Sequence, residues 1–183
     1  MKHLDAQNVR VLILSAGKIE NELEKIFGNI PSGLIPLNGK PVIFRIIDKL
    51  LDEGFRKISI TVGYKKEILE KIVTEQYKNR CKLVFITTEF EKPPGNSIKT
   101  AMKSCFEKKL LIILGDTLID NNLTELADNG KNCVLTSQEF GETRNWCVIT
   151  KKDSIIDEIF DKKELHKDEK YHALVGCYFF NDI

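Results

Sequence analysis

Asp116 closes the run LLIILGD, a stretch of apolar residues ending on a carboxylate. A charge placed where a buried strand emerges costs free energy unless it is solvated, hydrogen bonded or set against a cation. Magnesium suits it, because this hard ion is usually held by one or two carboxylates together with substrate phosphates. A turn or helix-capping role for the Asp is the plainer alternative. Lys40 lies in LIPLNGKPVI, where Pro36 and Pro41 stiffen the backbone and Gly39 permits a turn. It is held near the start of the next helix, where an anion also feels the helix dipole; its plainer reading is a solvated loop lysine. The connection from Gly17 to Lys40 is itself notable, since loops beyond about 12–15 residues in compact domains are commonly functional.

Positioning such groups requires a scaffold, and the hydrophobic pattern supplies one. Residues 9–16 (VRVLILSA) form a β-branched and aliphatic run ending in Gly17, which reads as a buried strand feeding a turn. Residues 57–62, 83–87 and 110–114 repeat it, and between them lie helix-length segments over 41–53, 65–77 and 96–107. In the first of these, Ile43, Ile46, Ile47, Leu50 and Leu51 recur at helical spacing. Strand–helix alternation predicts an α/β fold, a doubly wound and mostly parallel Rossmann-like sheet, because parallel neighbours need long crossovers. The segments 132–137, 146–150, 154–160 and 173–180 are strand-like with short turns and predict a mixed C-terminal extension. The charged stretch 162–170 reads as a solvated loop. Ligands of open α/β sheets bind beyond the carboxyl ends of the strands. That directs attention to Ser15-Ala16-Gly17, Gly63-Tyr64, Thr88-Glu89 and Gly115-Asp116.

The 183 residues fit one domain. With 28 Lys plus Arg against 27 Asp plus Glu the net charge is +1, so no global field recruits nucleic acid or an anionic membrane. The start, MKHLDAQNVR, lacks the apolar core of a signal peptide, and no apolar run is long enough to span a bilayer. A cytoplasmic location is expected. Five cysteines (Cys81, Cys105, Cys133, Cys147 and Cys177), with no CxxC and no His at zinc spacing, predict reduced thiols packed as small apolar groups.

Five segments in consistent order, VLILSAG, LIPLNGKPVIFRIIDKLLDEGFRKISITVGYKKEIL, PPGNSIKTA, LLIILGDTLI and ALVGCYFFND, resemble the sugar-phosphate nucleotidyltransferases (sugar-nucleotide pyrophosphorylases) from Val11 to Asp182. The resemblance implies the nucleotide-diphospho-sugar transferase fold, and transfer of a nucleotidyl group from an NTP to a sugar 1-phosphate with release of pyrophosphate, using Mg2+, in glycoconjugate or capsule biosynthesis. It implies nucleotide contacts from Ser15, Ala16 and Gly17, a base pocket bordered by Gly95 and Asn96, and magnesium held by Asp116. On the acceptor side it implies Gly176 leaving room for the sugar and Lys162 contacting its phosphate. A sugar phosphate is largely dianionic at neutral pH, its second pKa being about 6, so its oxygen needs no dedicated general base.

The chain departs from the family in the first loop, where Gly-x-Gly-x-Arg is replaced by KIENELEKIFGN after Gly17, and where Pro-Lys gives way to Pro31-Ser32-Gly33-Leu34. The phosphate-loop arginine and the catalytic lysine are missing; Lys18 or Lys25 could swing into the lysine's place, and Lys18 and Lys40 are the candidate catalytic cations. Ile19, Leu23, Ile26 and Phe27 have helical spacing, so residues 18–27 are predicted to be a short amphipathic helix or lid with its apolar face packed and its glutamates outward. Three functional readings follow: a sugar-phosphate nucleotidyltransferase, a cytidylyltransferase for phosphocholine or a phosphonate, and a nucleotide-binding or regulatory module of the same fold without turnover. The apolar strand ALVGCYFF stops short of a covering helix, so a longer chain with a further C-terminal region, or a homo-oligomer, is expected to cover it.

Overall fold

The computed structural model of the chain describes residues 6–104, 107–128, 130–165 and 170–183. Cys105 and part of the charged 162–170 stretch lie outside them. Contacts divide the chain into two compact units, one running through Cys133 and taking in Phe179–Ile183, the other Val134–Tyr178.

The first unit opens with β1 (Val9–Leu14), followed by α1 (Asn21–Phe27), the two-residue strands β2 (Pro36–Leu37) and β3 (Lys40–Pro41), and α2 (Val42–Asp52). Then come β4 (Lys57–Val62), α3 (Lys66–Tyr77), β5 (Lys82–Thr87), α4 (Pro94–Met102), β6 (Lys109–Leu114) and α5 (Leu123–Asp128). The four long strands run parallel in the order β5-β4-β1-β6, as the alternating pattern predicts, with Val11 beside Ile58 and Leu111. Val9 to Ile13 are buried without a break. Successive strand residues point to opposite faces, so both faces of β1 are covered.

α2 begins after Pro41, whose fixed φ suits a helix start, and buries Ile43, Ile46, Ile47, Leu50 and Leu51 as one stripe. α3 does the same with Leu69, Val73 and Tyr77. Burial of each such side chain contributes about 1.5–3 kcal/mol before entropy is counted. At the start of β1, the 7%-exposed Arg10 meets Glu107 in a two-pronged ion pair of 2.7 and 3.1 Å, which Lys57 joins at 3.6 Å. The Arg10 guanidinium drives the Glu107 carboxyl down to about 2. Two expectations are adjusted. The third crossover helix starts two residues early, at Pro94, because a proline is well placed in a first turn. α5, six residues long, is too short to register as a periodic pattern.

The second unit is antiparallel in β8 (Cys147–Lys152), β9 (Ile155–Asp161) and β10 (His172–Phe180), ordered β10-β8-β9, with β7 (Cys133–Ser137) pairing β10. Asp153 and Ser154, both at positive φ, make the tight turn between β8 and β9. His172 is buried, and burial followed by the nearby Lys151 charge lowers its pKa. Among the described residues no helix is long and apolar enough to cross a membrane.

Candidate active site

A cavity of about 580 Å³ opens at the carboxyl ends of the parallel strands. Every strand end contributes to its lining: Leu14, Ala16, Gly17 and Lys18 at β1, Thr61 at β4, Phe90 and Lys92 beyond β5, and Leu114 and Asp116 at β6. Parallel strands deliver their termini to one edge of the sheet, so residues a hundred positions apart in the chain meet there. Asp116 is exposed on this wall, and its Oδ1 accepts a 3.3 Å hydrogen bond from the Thr117 hydroxyl.

The turn after β1 is tightly held. The Tyr64 amide donates to the Ala16 carbonyl at 2.9 Å, and the Ser32 amide and hydroxyl both donate to the Gly17 carbonyl at 3.3 Å. Lys18 forms an isolated antiparallel bridge with Pro31, so the two ends of the 18–31 loop meet at its base. Close to that base the loop is tied down again: the Tyr64 hydroxyl donates to Asn29 Oδ1, and Lys65 Nζ donates to the Asn29 carbonyl at 2.5 Å.

Within that loop the expected helix is present as α1, but the packing of its apolar face is corrected. Ile19 is buried, whereas Leu23 and Ile26 are 40% and 71% exposed. A seven-residue helix closed off at Gly28 shows too little of its stripe to the domain for the whole apolar face to be covered. Leu23 lines the cavity with Ile19 and Glu20.

The other residues singled out in the sequence divide. Ala16, Gly17, Lys18 and Asp116 come together in the cavity wall. Ser15 lies just beneath it, 3% exposed, its amide donating to Thr61 Oγ1 at 3.2 Å and its own hydroxyl without a hydrogen-bond partner. Gly95 and Asn96 sit in the first turn of α4 between the lining residues Pro94 and Ser97 without lining the cavity themselves. Lys40 is elsewhere engaged: its ammonium donates to Asp48 Oδ2 at 2.5 Å, and Arg80 holds the other oxygen at 3.0 Å. Burial raises the Asp48 pKa, but Lys40 and then Arg80 outweigh it, so the group is held below its ordinary value. Lys162 and Gly176 belong to the second unit. The first is exposed at φ 51 with its amide on the Trp146 carbonyl, and the second is buried in β10 at φ 77. That unit has a cavity of its own, about 660 Å³, whose lining includes Phe140, Arg144, Glu164 and Tyr171 but neither Lys162 nor Gly176.

Sequence reasoning passed over Thr61, Phe90, Lys92 and Ser97 as lining residues. Thr61 and Phe90 lie at or just beyond the ends of β4 and β5, so the rule that ligands bind past strand ends, applied to a few residues on either side, reaches them; Lys92 and Ser97 are brought in by the connection to α4 and its first turn.

Comparison with known proteins follows the same outline. A family model described as nucleotidyl transferase matches residues 11–182. The chain is 29% identical over 172 residues to the bifunctional protein GlmU of Methanococcus aeolicus, a match covering 93% of the chain and 40% of that relative. It is 25% identical over 179 residues to the D-glycero-alpha-D-manno-heptose 1-phosphate guanylyltransferase of Campylobacter jejuni, covering 93% of the chain and 78% of the relative. A solved UDP-glucose pyrophosphorylase bound to UDP-glucose shares the fold with a TM-score of 0.78 at 18% identity, covering 94% of this chain and 76% of that one. The chain thus spans well under half the length of the GlmU relative it matches.

Proposed function

The chain belongs to the nucleotidyl transferase family, and from that premise we propose that its cavity binds an NTP with magnesium and directs transfer of the nucleotidyl group to a sugar 1-phosphate or similar phosphorylated acceptor. The observation that carries this reading is the convergence of Ala16, Gly17, Lys18 and Asp116 in one cavity at the strand ends.

The donor set fits magnesium. Among the described residues no group of three or more His, Cys, Asp or Glu side chains is placed to hold a metal ion, as a site made wholly of protein ligands would require. The lining holds two carboxylates, Asp116 at the β6 strand end and Glu20 in the loop after β1, and one such group suits an ion whose remaining ligands are phosphate oxygens and water. Asp116 is the residue that would hold it, and the bound ion supplies neutralisation of charge on the phosphates. Lys18, exposed in the same lining as Lys92, is the cation we assign to the departing pyrophosphate. In the reaction an acceptor phosphate oxygen forms a bond to the α-phosphorus as the bond from that phosphorus to the β-phosphate bridge oxygen breaks. Both substrates are anions, so the work of the chain's own groups is alignment and charge stabilisation. For the acceptor, Lys162 and Gly176 are proposed on the resemblance of their segments.

A second reading, nucleotide binding without turnover, is favoured by one feature of the wall: its two lysines are matched by Glu20 and Asp116, and no arginine is among the lining residues. Like charge from Glu20 opposes a triphosphate. The two readings separate by pyrophosphate release from ATP, GTP, CTP and UTP with magnesium and a panel of sugar 1-phosphates. Release supports transfer, binding without release supports the module, and absence of any nucleotide binding overturns both.

A further inference from the structure

We propose that Phe90 is the nucleobase platform of this cavity, and that it grips the base by stacking, a contact that does not itself distinguish among the four common bases. The inference rests on the nucleotide-binding reading above and adds to it which residue meets the base and how selective that contact is.

Phe90 is a large apolar side chain left 39% exposed although it lines a concave site. Exposed aromatic rings in cavities offer a flat face that a planar ligand can cover, and every nucleobase has a π-face regardless of its hydrogen-bonding edge. The ring is also held in place. Tyr64 meets it edge to face with centroids 5.4 Å apart, and Tyr64 is itself fixed by its hydroxyl bond to Asn29 and by the Lys65 ammonium 5.7 Å from its ring centroid.

The backbone shows how the ring comes to the rim. A β-carbon on Gly63 would lie 2.9 Å from the Ala16 carbonyl oxygen, 2.9 Å from the Thr88 carbonyl oxygen and 3.0 Å from Phe90 Cβ. Only a residue without a side chain lets the turn after β1 and the segment after β5 approach each other this closely. Phe90 is therefore set close to the Ala16 carbonyl, in a lining that also includes Ile19, Leu23 and Pro94, apolar groups suited to a base. The charged lining groups, Lys18, Glu20, Lys92 and Asp116, leave two ammonium groups and Asp116 for the phosphates and their metal. Among the described lining residues there is no Asn or Gln side chain to read a base edge. Hydroxyl groups are present on Ser32, Thr61 and Ser97, but the Ser97 hydroxyl already donates to Thr88 Oγ1 at 3.1 Å.

The test is equilibrium binding of ATP, GTP, CTP and UTP with magnesium to the wild-type chain and to Phe90→Ala, Phe90→Leu and Phe90→Tyr, with inorganic triphosphate as a probe that has no base. Stacking of one base supports an affinity loss of about tenfold or more when the ring is removed. Phe90→Ala and Phe90→Leu should weaken all four nucleotides by about that factor, leave their order intact and leave triphosphate affinity unchanged, while Phe90→Tyr retains binding. Unchanged nucleotide affinity in a folded Phe90→Leu protein overturns the proposal, as does a loss confined to one base or an equal loss for triphosphate. If the wild-type chain binds no nucleotide, the functional reading falls and this inference with it; if it binds and the Phe90 variants bind equally, only the inference falls.

Discussion

Lys40 and Asp48 are locked together across the start of α2, ammonium to carboxylate at 2.5 Å, with Arg80 on the second carboxylate oxygen. The cavity lining does not include this lysine. Lys40→Met should leave magnesium-dependent nucleotide affinity unchanged and cost no more than about 1 kcal/mol of stability, since its side chain is 42% exposed and half-solvated pairs are weak. Titration of nucleotide into the variant, beside a urea melt, checks both; a tenfold loss of affinity would return Lys40 to the chemistry.

Asp116 is an exposed residue of the cavity wall. Asp116→Asn removes the charge with little change in shape, so thermal stability should stay within about 1 kcal/mol of wild type. Nucleotide affinity measured with magnesium should fall, and affinity measured in EDTA should not. Equal affinities for the two proteins in magnesium would remove this carboxylate from the site.

Ser15 and Gly33 form a packing pair beneath the cavity. A β-carbon added at Gly33 would lie 2.5 Å from Ser15 Oγ and 3.4 Å from Ile43 Cβ. Gly33→Ala should destabilise by roughly 1–3 kcal/mol, as overpacking does. Ser15→Ala removes a buried hydroxyl without a partner and should be close to neutral. The double variant should recover part of the Gly33→Ala loss, because the worst contact has gone. Additive losses in chemical denaturation would mean that Ile43, and not Ser15, is the obstacle.

The Arg10–Glu107 pair makes stability depend on acid. Its cause is the guanidinium, which lowers the Glu107 pKa from 4.5 to about 2 in the folded chain. A depressed carboxyl stabilises the fold above its unfolded value and loses that contribution as pH falls towards the folded one. Glu107→Gln should therefore be less stable than wild type by roughly 1–3 kcal/mol at pH 7, with the gap narrowing between about pH 4.5 and pH 2. Denaturant midpoints for both proteins across that range give the answer, and a gap independent of pH would assign the loss to packing.

Much of this organisation was legible in the sequence because strand, helix and turn chemistry are local. The stripe of Ile43, Ile46, Ile47, Leu50 and Leu51 on α2 and the buried run through β1 appear where the spacing placed them. What periodicity states is which residues share a face; whether anything stands opposite is a tertiary matter. Leu23 and Ile26 share the face expected of them and remain uncovered. Phe90 and Thr61 were missed for a related reason: one follows β5 and the other lies near the end of β4, and only the sheet order brings them to one cavity. Lys40 shows the converse, since a basic residue beside a helix start meets an acidic partner from that same helix before it meets a ligand.

The joined ends of the 18–31 loop carry a consequence for descent. Because Lys18 and Pro31 already touch, and Gly17 and Ser32 are bonded just outside them, with Ile19 buried and Asn29 held by Tyr64 and Lys65, the stretch between Ile19 and Asn29 is a cassette hung from a closed clasp. The strands below do not register its length, and lengthening such a segment adds little to the cost of closing it. The chain can therefore exchange that stretch while its sheet stays put, which makes this rim of the cavity the part whose length and composition can change at least cost to the fold.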